Sequence, residues 1–218
     1  MTIRLNKLNR TIVGSFGSFA LLFVTTTFAG GEARGYISDL GLEEFNPSDS
    51  FNDLDAISDL ATTTNYADVE VIASENGRII VRQRGNSNAA GVTQTNSINS
   101  KATVKQKGIN NTAMIEQGNV DSISSDNIAI IEQWGVDHKG YISQVGHNNL
   151  AILKQCEHLN GNCIGESNHS SEWSINQTGN DNIAEVYDSG QASYDITQTG
   201  GDEILVINNM SRGIYIKQ

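Results

Sequence analysis

The sequence predicts an all-β chain folded as a two-sheet parallel β-solenoid of strand–turn–strand repeats. Three observations predict it. A twelve-residue frame recurs along the chain. Within each copy, apolar and polar side chains alternate with a period of two. A glycine stands two residues after most of the framing glutamines. The composition agrees: 21 Gly but one Pro, with 38% hydrophobic and 6% aromatic residues. That is poor in material for one central core and well suited to many short strands joined by tight turns.

The frame is set by residues 106–117, QKGINNTAMIEQ: Gln, one residue, Gly, two, Asn, one, Ala, three, Gln. Residues 83–94 and 144–155 match it in full. Residues 133–144 keep both glutamines and the glycine, with His138 at the Asn place and Gly140 at the Ala place. Residues 177–188 keep Gln177, Gly179, Asn182 and Ala184 and end in Asp188. Upstream, a step of twelve from Gln83 reaches Val71, with Asn65 and Ala67 at the proper offsets. Downstream, the steps from Gln155 reach Glu166 (with Asn160 in the Asn place), Gln177, Asp188, Gln198, Asn209 and Gln218. The step breaks at Gly118–Asp126, read as a loop bulging from one edge. Repeats at this period mean a stacked array, here of about seven two-strand rungs.

Alternate residues of a strand point to opposite faces. Asn111, Ala113, Ile115 and Gln117 share one face; Ser100, Ala102, Val104 and Gln106 share another. The same reading gives Asn127, Ala129, Ile131, Gln133; then Asn149, Ala151, Leu153, Gln155; and finally Arg212, Ile214, Ile216, Gln218. Arg82, Lys105, Glu116, Glu132, Lys154 and Lys217 fall on the opposite, outward face. Trp173 is expected inward and Trp134 in a turn. Gly85, Gly108, Gly135, Gly146, Gly179 and Gly200 are the expected turn glycines, able to take φ > 0.

Stacking places each framing amide about 4.8 Å from its copy. A buried amide alone is costly. In a ladder each donates to one neighbour and accepts from the other. The expected ladder is Gln83, Asn88, Gln94, Ser100, Gln106, Asn111, Gln117, Asn127, Gln133, Gln144, Asn149, Gln155, Ser171, Gln177, Asn182, Gln198 and Gln218. The repeat runs to Gln218, so no cap is expected and the end edges stay open to further copies. The most exposed interfaces are then 77–94 and 203–218.

The start reads as a secretory leader: Arg4, Lys7 and Arg10, an uncharged and mostly apolar stretch 11–28, and cleavage after Ala29. Removing 1–29 takes three of the 14 basic residues and none of the 25 acidic ones, leaving a net charge of −14. Such a chain is a poor nucleic-acid partner. Beyond the leader no segment reads as a membrane span. Residues 30–64 are acidic, with Asp39, Glu43, Glu44, Asp49, Asp53, Asp55 and Asp59 and few β-formers, the composition of a disordered segment.

Cys156 and Cys163 are the only cysteines. Export favours a disulfide. The reading of the repeat puts one in a turn and one outward, a separation that challenges the reach of a disulfide. Either the register slips there or the thiols stay free. With His158 and His169 they form C-x-H-x4-C-x5-H, which is no strong zinc signature; no metal or cofactor is expected. No catalytic constellation appears, so the chain is expected not to be an enzyme. His138 reads as a ladder substitute.

Ser100-x5-Gln106-x-Gly108-x2-Asn111-x-Ala113-x3-Gln117, behind a leader and an acidic segment, resembles the curlin repeat of curli, the functional amyloid of bacterial biofilms. The resemblance covers about residues 65–218. It implies passage through the periplasm, unfolded export across the outer membrane, and polymerisation into an extracellular fibre for adhesion and biofilm matrix. It implies as partners other curlin subunits, in homo- or heteropolymers, with the outer-membrane secretion channel and its accessory factors. Residues 30–64 would be the segment that channel recognises. The half-copies in both strands of a rung, and a last strand bearing Arg212 and Lys217, favour the minor, nucleating subunit. The alternatives are the major fibre-building subunit and a β-solenoid surface adhesin that never polymerises.

Overall fold

Small and β-branched residues at alternate positions, cut by glycine and asparagine every ten or so residues, make many short strands here and no helix among the described residues. The computed structural model describes residues 14–16, 19–25, 65–160, 162–189, 193–208 and 215–217. In chain order the strands are β1 (Gly14–Phe16), β2 (Phe19–Thr25), β3 (Asn65–Ile72), β4 (Arg78–Asn86), β5 (Ala89–Thr95), β6 (Ser97–Ile98), β7 (Lys101–Ile109), β8 (Thr112–Gln117), β9 (Ser124–Ser125) and β10 (Ile128–Val136). There follow β11 (Lys139–His147), β12 (Leu150–Gln155), β13 (His158–Asn160), β14 (Asn162–Ile164), β15 (Glu172–Asn180), β16 (Ile183–Asp188), β17 (Ser193–Thr199), β18 (Glu203–Asn208) and β19 (Tyr215–Lys217).

The chain alternates between two sheets. One stacks β3, β5, β8, β11, β15, β17 and β19; the other stacks β4, β7, β10, β12, β16 and β18. All of these pairings are parallel. This is the predicted two-sheet β-solenoid. It has six two-strand turns, and β19 begins another, against about seven expected. At the N-terminal edge, β1 and β2 pair antiparallel with β3 and β4. The core is a thin double row. Val69, Val92, Ile115, Ile142, Ile175 and Ile196 face Val81, Val104, Ile131, Leu153, Val186 and Val206, all buried. Trp173 is inward as expected, 4.1 Å from the ring of Tyr194. On the outer face of the first sheet Met114, Tyr141 and Ser174 are buried too, where the sequence reading expects exposure.

Five expectations need correction. The turn is tighter than a four-residue spacer. β4, β7, β10, β11 and β15 continue past their Gln through the glycine, and Trp134 therefore lies in β10, not in a turn. The reversal is completed by a second left-handed residue just before the ladder Asn or its substitute: Ser87, Asn110, Asp137, Asn148 and Asp181, with φ of 54–60°. The 118–126 loop is partly built in, because β9 pairs with β6 and, at Ser125, with His147 of β11.

The expected steps through Asn160 and Glu166 do not form a rung. Residues 156–170 leave the array as an excursion holding the antiparallel hairpin β13–β14. The last expected register is off by one. Only three residues separate Gln198 from Asp202, so β18 enters early, with Ile183 opposite Glu203 and Asp188 opposite Asn208. Ile204 and Val206 point inward and Leu205 outward; a one-residue slip exchanges the faces. Asn208, not Asn209, stands in the ladder register. Gln218, the segment 30–64 and the leader's charged start lie outside the described residues.

Candidate functional site: two opposed amide ladders

The framing glutamines stack in two columns, one per sheet. In the second sheet Gln83 Nε2 donates to Gln106 Oε1, Gln106 to Gln133, and Gln133 to Gln155, each at 2.9 Å. In the first sheet Gln94 donates to Gln117, Gln117 to Gln144, Gln144 to Gln177 and Gln177 to Gln198, at 2.8–2.9 Å. Every bond points from lower to higher residue number. Backbone carbonyls fix that direction. Gln106 Nε2 also donates to Ala89 O (2.8 Å) and Asn111 O (2.9 Å), so its nitrogen must face those oxygens.

The asparagines run the other way. Asn88 Nδ2 donates to Asn65 Oδ1 (3.0 Å) and Asn111 Nδ2 to Asn88 Oδ1 (2.9 Å). Across the turn, Asn149 donates to Asn127 (3.0 Å) and Asn182 to Asn149 (2.9 Å). Their oxygens also accept the backbone N–H of the residue above, as Asn88 N does to Asn65 Oδ1. The second Nδ2 proton goes to a turn glycine of the neighbouring rung: Asn88 to Gly108 O, Asn111 to Gly135 O, Asn127 to Gly146 O, Asn149 to Gly179 O. That contact explains the Gly-x2-Asn spacing of the frame.

The glycines are required twice over. Gly85, Gly108, Gly135, Gly146, Gly179 and Gly200 all have φ between +101° and +147°. A Cβ on Gly108 would lie 1.9 Å from Gly135 O, because the turns stack backbone on backbone. Sequence reading found the φ requirement and missed the close approach.

Where the ladder varies, the chemistry adapts. Ser100 Oγ accepts the backbone N–H of Asn127 at 3.3 Å. His138 replaces Asn and is 1% exposed. Its Nδ1 is 3.0 Å from Ser171 Oγ, and its backbone N–H donates to Asn111 Oδ1 at 3.2 Å. Burial pushes the His138 imidazole down to about 4. Gln155 Nε2, next to the excursion, donates to Ser171 O and Oγ. Asp188 holds the register opposite Gln155, and its carbonyl accepts from Cys156 N at 3.0 Å. At the N-terminal end, Gln83 Oε1 and Gln94 Oε1 are buried with no hydrogen-bond partner among the described residues. Asp68, on the outer face of β3, is also buried, and that burial raises its carboxyl pKa.

The cysteines are joined. Cys156 and Cys163 form a disulfide across 5.6 Å of Cα separation. The excursion brings them together, so the register does break there, the first of the two outcomes the sequence left open. Their sulfurs are therefore not thiolate ligands for a metal. The excursion also returns Ser167 to the array. Ser167 stacks on Gly135, donating to Trp134 O (2.8 Å) and accepting from Val136 N (3.1 Å).

The fold and these ladders define a parallel β-solenoid held in register by internal amides. The chain matches no protein-family model, no curated protein and no solved structure. Among the described residues no helix is long and apolar enough to cross a membrane.

Proposed function

We propose that the chain is a secreted structural subunit of a curli-type amyloid fibre, acting as the minor subunit that nucleates polymerisation at the cell surface. The observation that carries the reading is the pair of glutamine columns, continuous from Gln83 to Gln155 and from Gln94 to Gln198. An in-register parallel stack of identical amides is the arrangement that lets one chain continue on another without a new kind of contact.

The ends support it. Cleavage after Ala29 would remove β1 and β2, the strands that pair with β3 and β4. The backbone groups of that edge would then be open to a further strand. Beyond Gln155 the second-sheet column passes to Asp188 and then Asn208. The row of identical amides in that sheet therefore ends at Gln155, whereas at the N-terminal edge both columns begin on glutamine, and a subunit with two unlike ends suits a nucleator better than a repeating fibre unit.

The test is thioflavin-T kinetics on residues 30–218, alone and in trace amounts with a major curlin subunit. Polymerisation that shortens the partner's lag is the expected result. Polymerisation without cross-seeding would assign the chain to the fibre-building subunits. A soluble β-rich monomer with no effect on the partner would leave the surface adhesin. Deletion of 203–218 is expected to impair attachment or seeding more than deletion of a middle rung, and equal effects would count against end-to-end stacking.

A further inference from the structure

The outer faces of the two sheets differ. On the second sheet the central outward column runs Ile80, Thr103, Ile130, Ile152 and Glu185, and every member is partly exposed. That is what a bare sheet surface gives, where side chains are shielded only by their neighbours. On the first sheet the equivalent column runs Asp68, Gly91, Met114, Tyr141 and Ser174, and every member is buried. Met114 is 1% and Tyr141 0% exposed. Gly91 and Ser174, above and below them, are too small to hide a thioether and a phenol. The column is therefore covered from outside the sheet. No strand among the described residues lies there: the two sheets meet on their inner faces, and the excursion is tied to the other sheet through Glu166, 3.0 Å from Lys107. The cover stops at β17, where Asp195 is partly exposed again.

We propose that residues 51–61 of the same chain pack across this face as an amphipathic helix. Phe51, Leu54, Ile57 and Ala61 recur at spacings of three, three and four, which puts them on one side of a helix. Asn52, Asp55 and Asp59 fall together on the opposite side, so the apolar side can be buried with those two carboxylates left in water. Ser50 and Asp53 form the Ser-x-x-Asp start of a capping box, and the β-branched threonines at 62–64 end the pattern. The length fits. Eleven residues of helix span about 16 Å. The covered column crosses five strands, β3 to β15, about 19 Å between the first and the last. The connection fits as well. The stretch 26–64 ends at Asn65, the first residue of β3, and residues 62–64 reach about 10 Å at most. The helix then runs with Ala61 nearest β3 and Phe51 nearest Ser174. Residues 209–214 fit less well, because they follow β18, at the end of the array where the column is open. The docking is within one chain and holds whether or not chains stack end to end.

The test reads oxidation of Met114 by dilute hydrogen peroxide in the full chain, at a concentration where it is monomeric, resolved by peptide mass spectrometry. An isotope-labelled peptide of residues 112–117 is mixed in as the reference. Oxidation follows exposure, so Met114 of the wild-type chain should react at least about tenfold more slowly than the reference. Leu54→Asp with Ile57→Asp should speed it about tenfold or more, because two side chains that hold the docked state become charged. Asp55→Asn with Asp59→Asn, on the opposite side of the helix, should leave the rate unchanged. Hydrogen exchange on the same samples should show amides 54–61 protected in the wild-type chain and released in the charged pair, with the Gln106 and Gln133 rungs protected in both. The milder Leu54→Ala with Ile57→Ala should shift Met114 in the same direction, and it decides the matter if the charged pair disturbs those rungs. Rapid oxidation of Met114 in the wild-type chain, or exchange of amides 54–61 at the unfolded rate, would overturn the proposal. Slow oxidation of Met114 in both variant pairs would assign the cover to another segment, the leader or 209–214, and overturn it too.

Discussion

Replacing His138 with asparagine should make the solenoid less sensitive to acid. His138 sits in the asparagine ladder between Asn111 and Ser171, 1% exposed, and burial holds its imidazole down to about 4 against an ordinary 6.5. The folded chain therefore favours the neutral ring. As pH falls below about 6.5, the unfolded chain takes up the proton first, and stability is lost progressively until the folded imidazole also titrates near pH 4. Above pH 6.5 the contribution is fully present. The gap of about 2.5 units, at about 1.4 kcal/mol per unit, corresponds to about 3 kcal/mol lost between pH 7 and pH 4. Asparagine does not titrate, and the array already uses it at this place in other turns. The assay is urea unfolding of dilute, monomeric chain, followed by tryptophan fluorescence, at pH 7 and pH 4. Asp68 shifts in the raised direction, which works oppositely with pH, but it is common to both proteins and cancels in the comparison. The wild-type chain should lose about 3 kcal/mol more than His138→Asn on acidification. Equal losses would refute the reasoning, because they would mean that the imidazole is hydrated in the fold.

Three further outcomes follow from the same geometry. Gln106→Ala removes the acceptor of Gln83 and the donor to Gln133 Oε1, so it should cost about 1–3 kcal/mol in the urea midpoint. The exposed Thr178→Ala should change it by less than about 0.5 kcal/mol. Gly108→Ala drives a Cβ to 1.9 Å from Gly135 O at φ +126° and should abolish the native circular dichroism. Gly201→Ala, whose nearest atom would be 3.8 Å away, should be nearly neutral by the same readout. Reduction of Cys156–Cys163, which closes a loop of separation 7, should cost about 2 kcal/mol. Hydrogen exchange should place that loss in 157–170 and leave the Gln106–Gln133 rungs protected; uniform loss of protection would show that the excursion is part of the cooperative core.

What the sequence by itself determined is whatever depends on period. Two-residue alternation and the recurring frame are properties of spacing, so the solenoid, the inward rows and most of the ladder were legible. Gln83, Gln106, Gln133 and Gln155 stack as their spacing predicts, and so do Gln94, Gln117 and Gln144; Gln177 and Gln198 continue the column of Gln144, the opposite sheet from the one that a step through Glu166 predicts. The failures come where the period lapses. A three-residue gap in place of a four-residue one moved β18 by one residue and exchanged Glu203 with Ile204; local sequence carries no clear mark of that deletion. The excursion at 156–170 was invisible because Glu166 falls, by coincidence of count, at the expected step. Only the tertiary structure decided that the cysteines meet, that the Asn and Gln ladders run in opposite directions, and that glycine is demanded by a backbone from the next turn as well as by its own φ. Those facts depend on which atoms of residues some 20–30 positions apart come within hydrogen-bond reach, and a one-dimensional spacing does not contain that information.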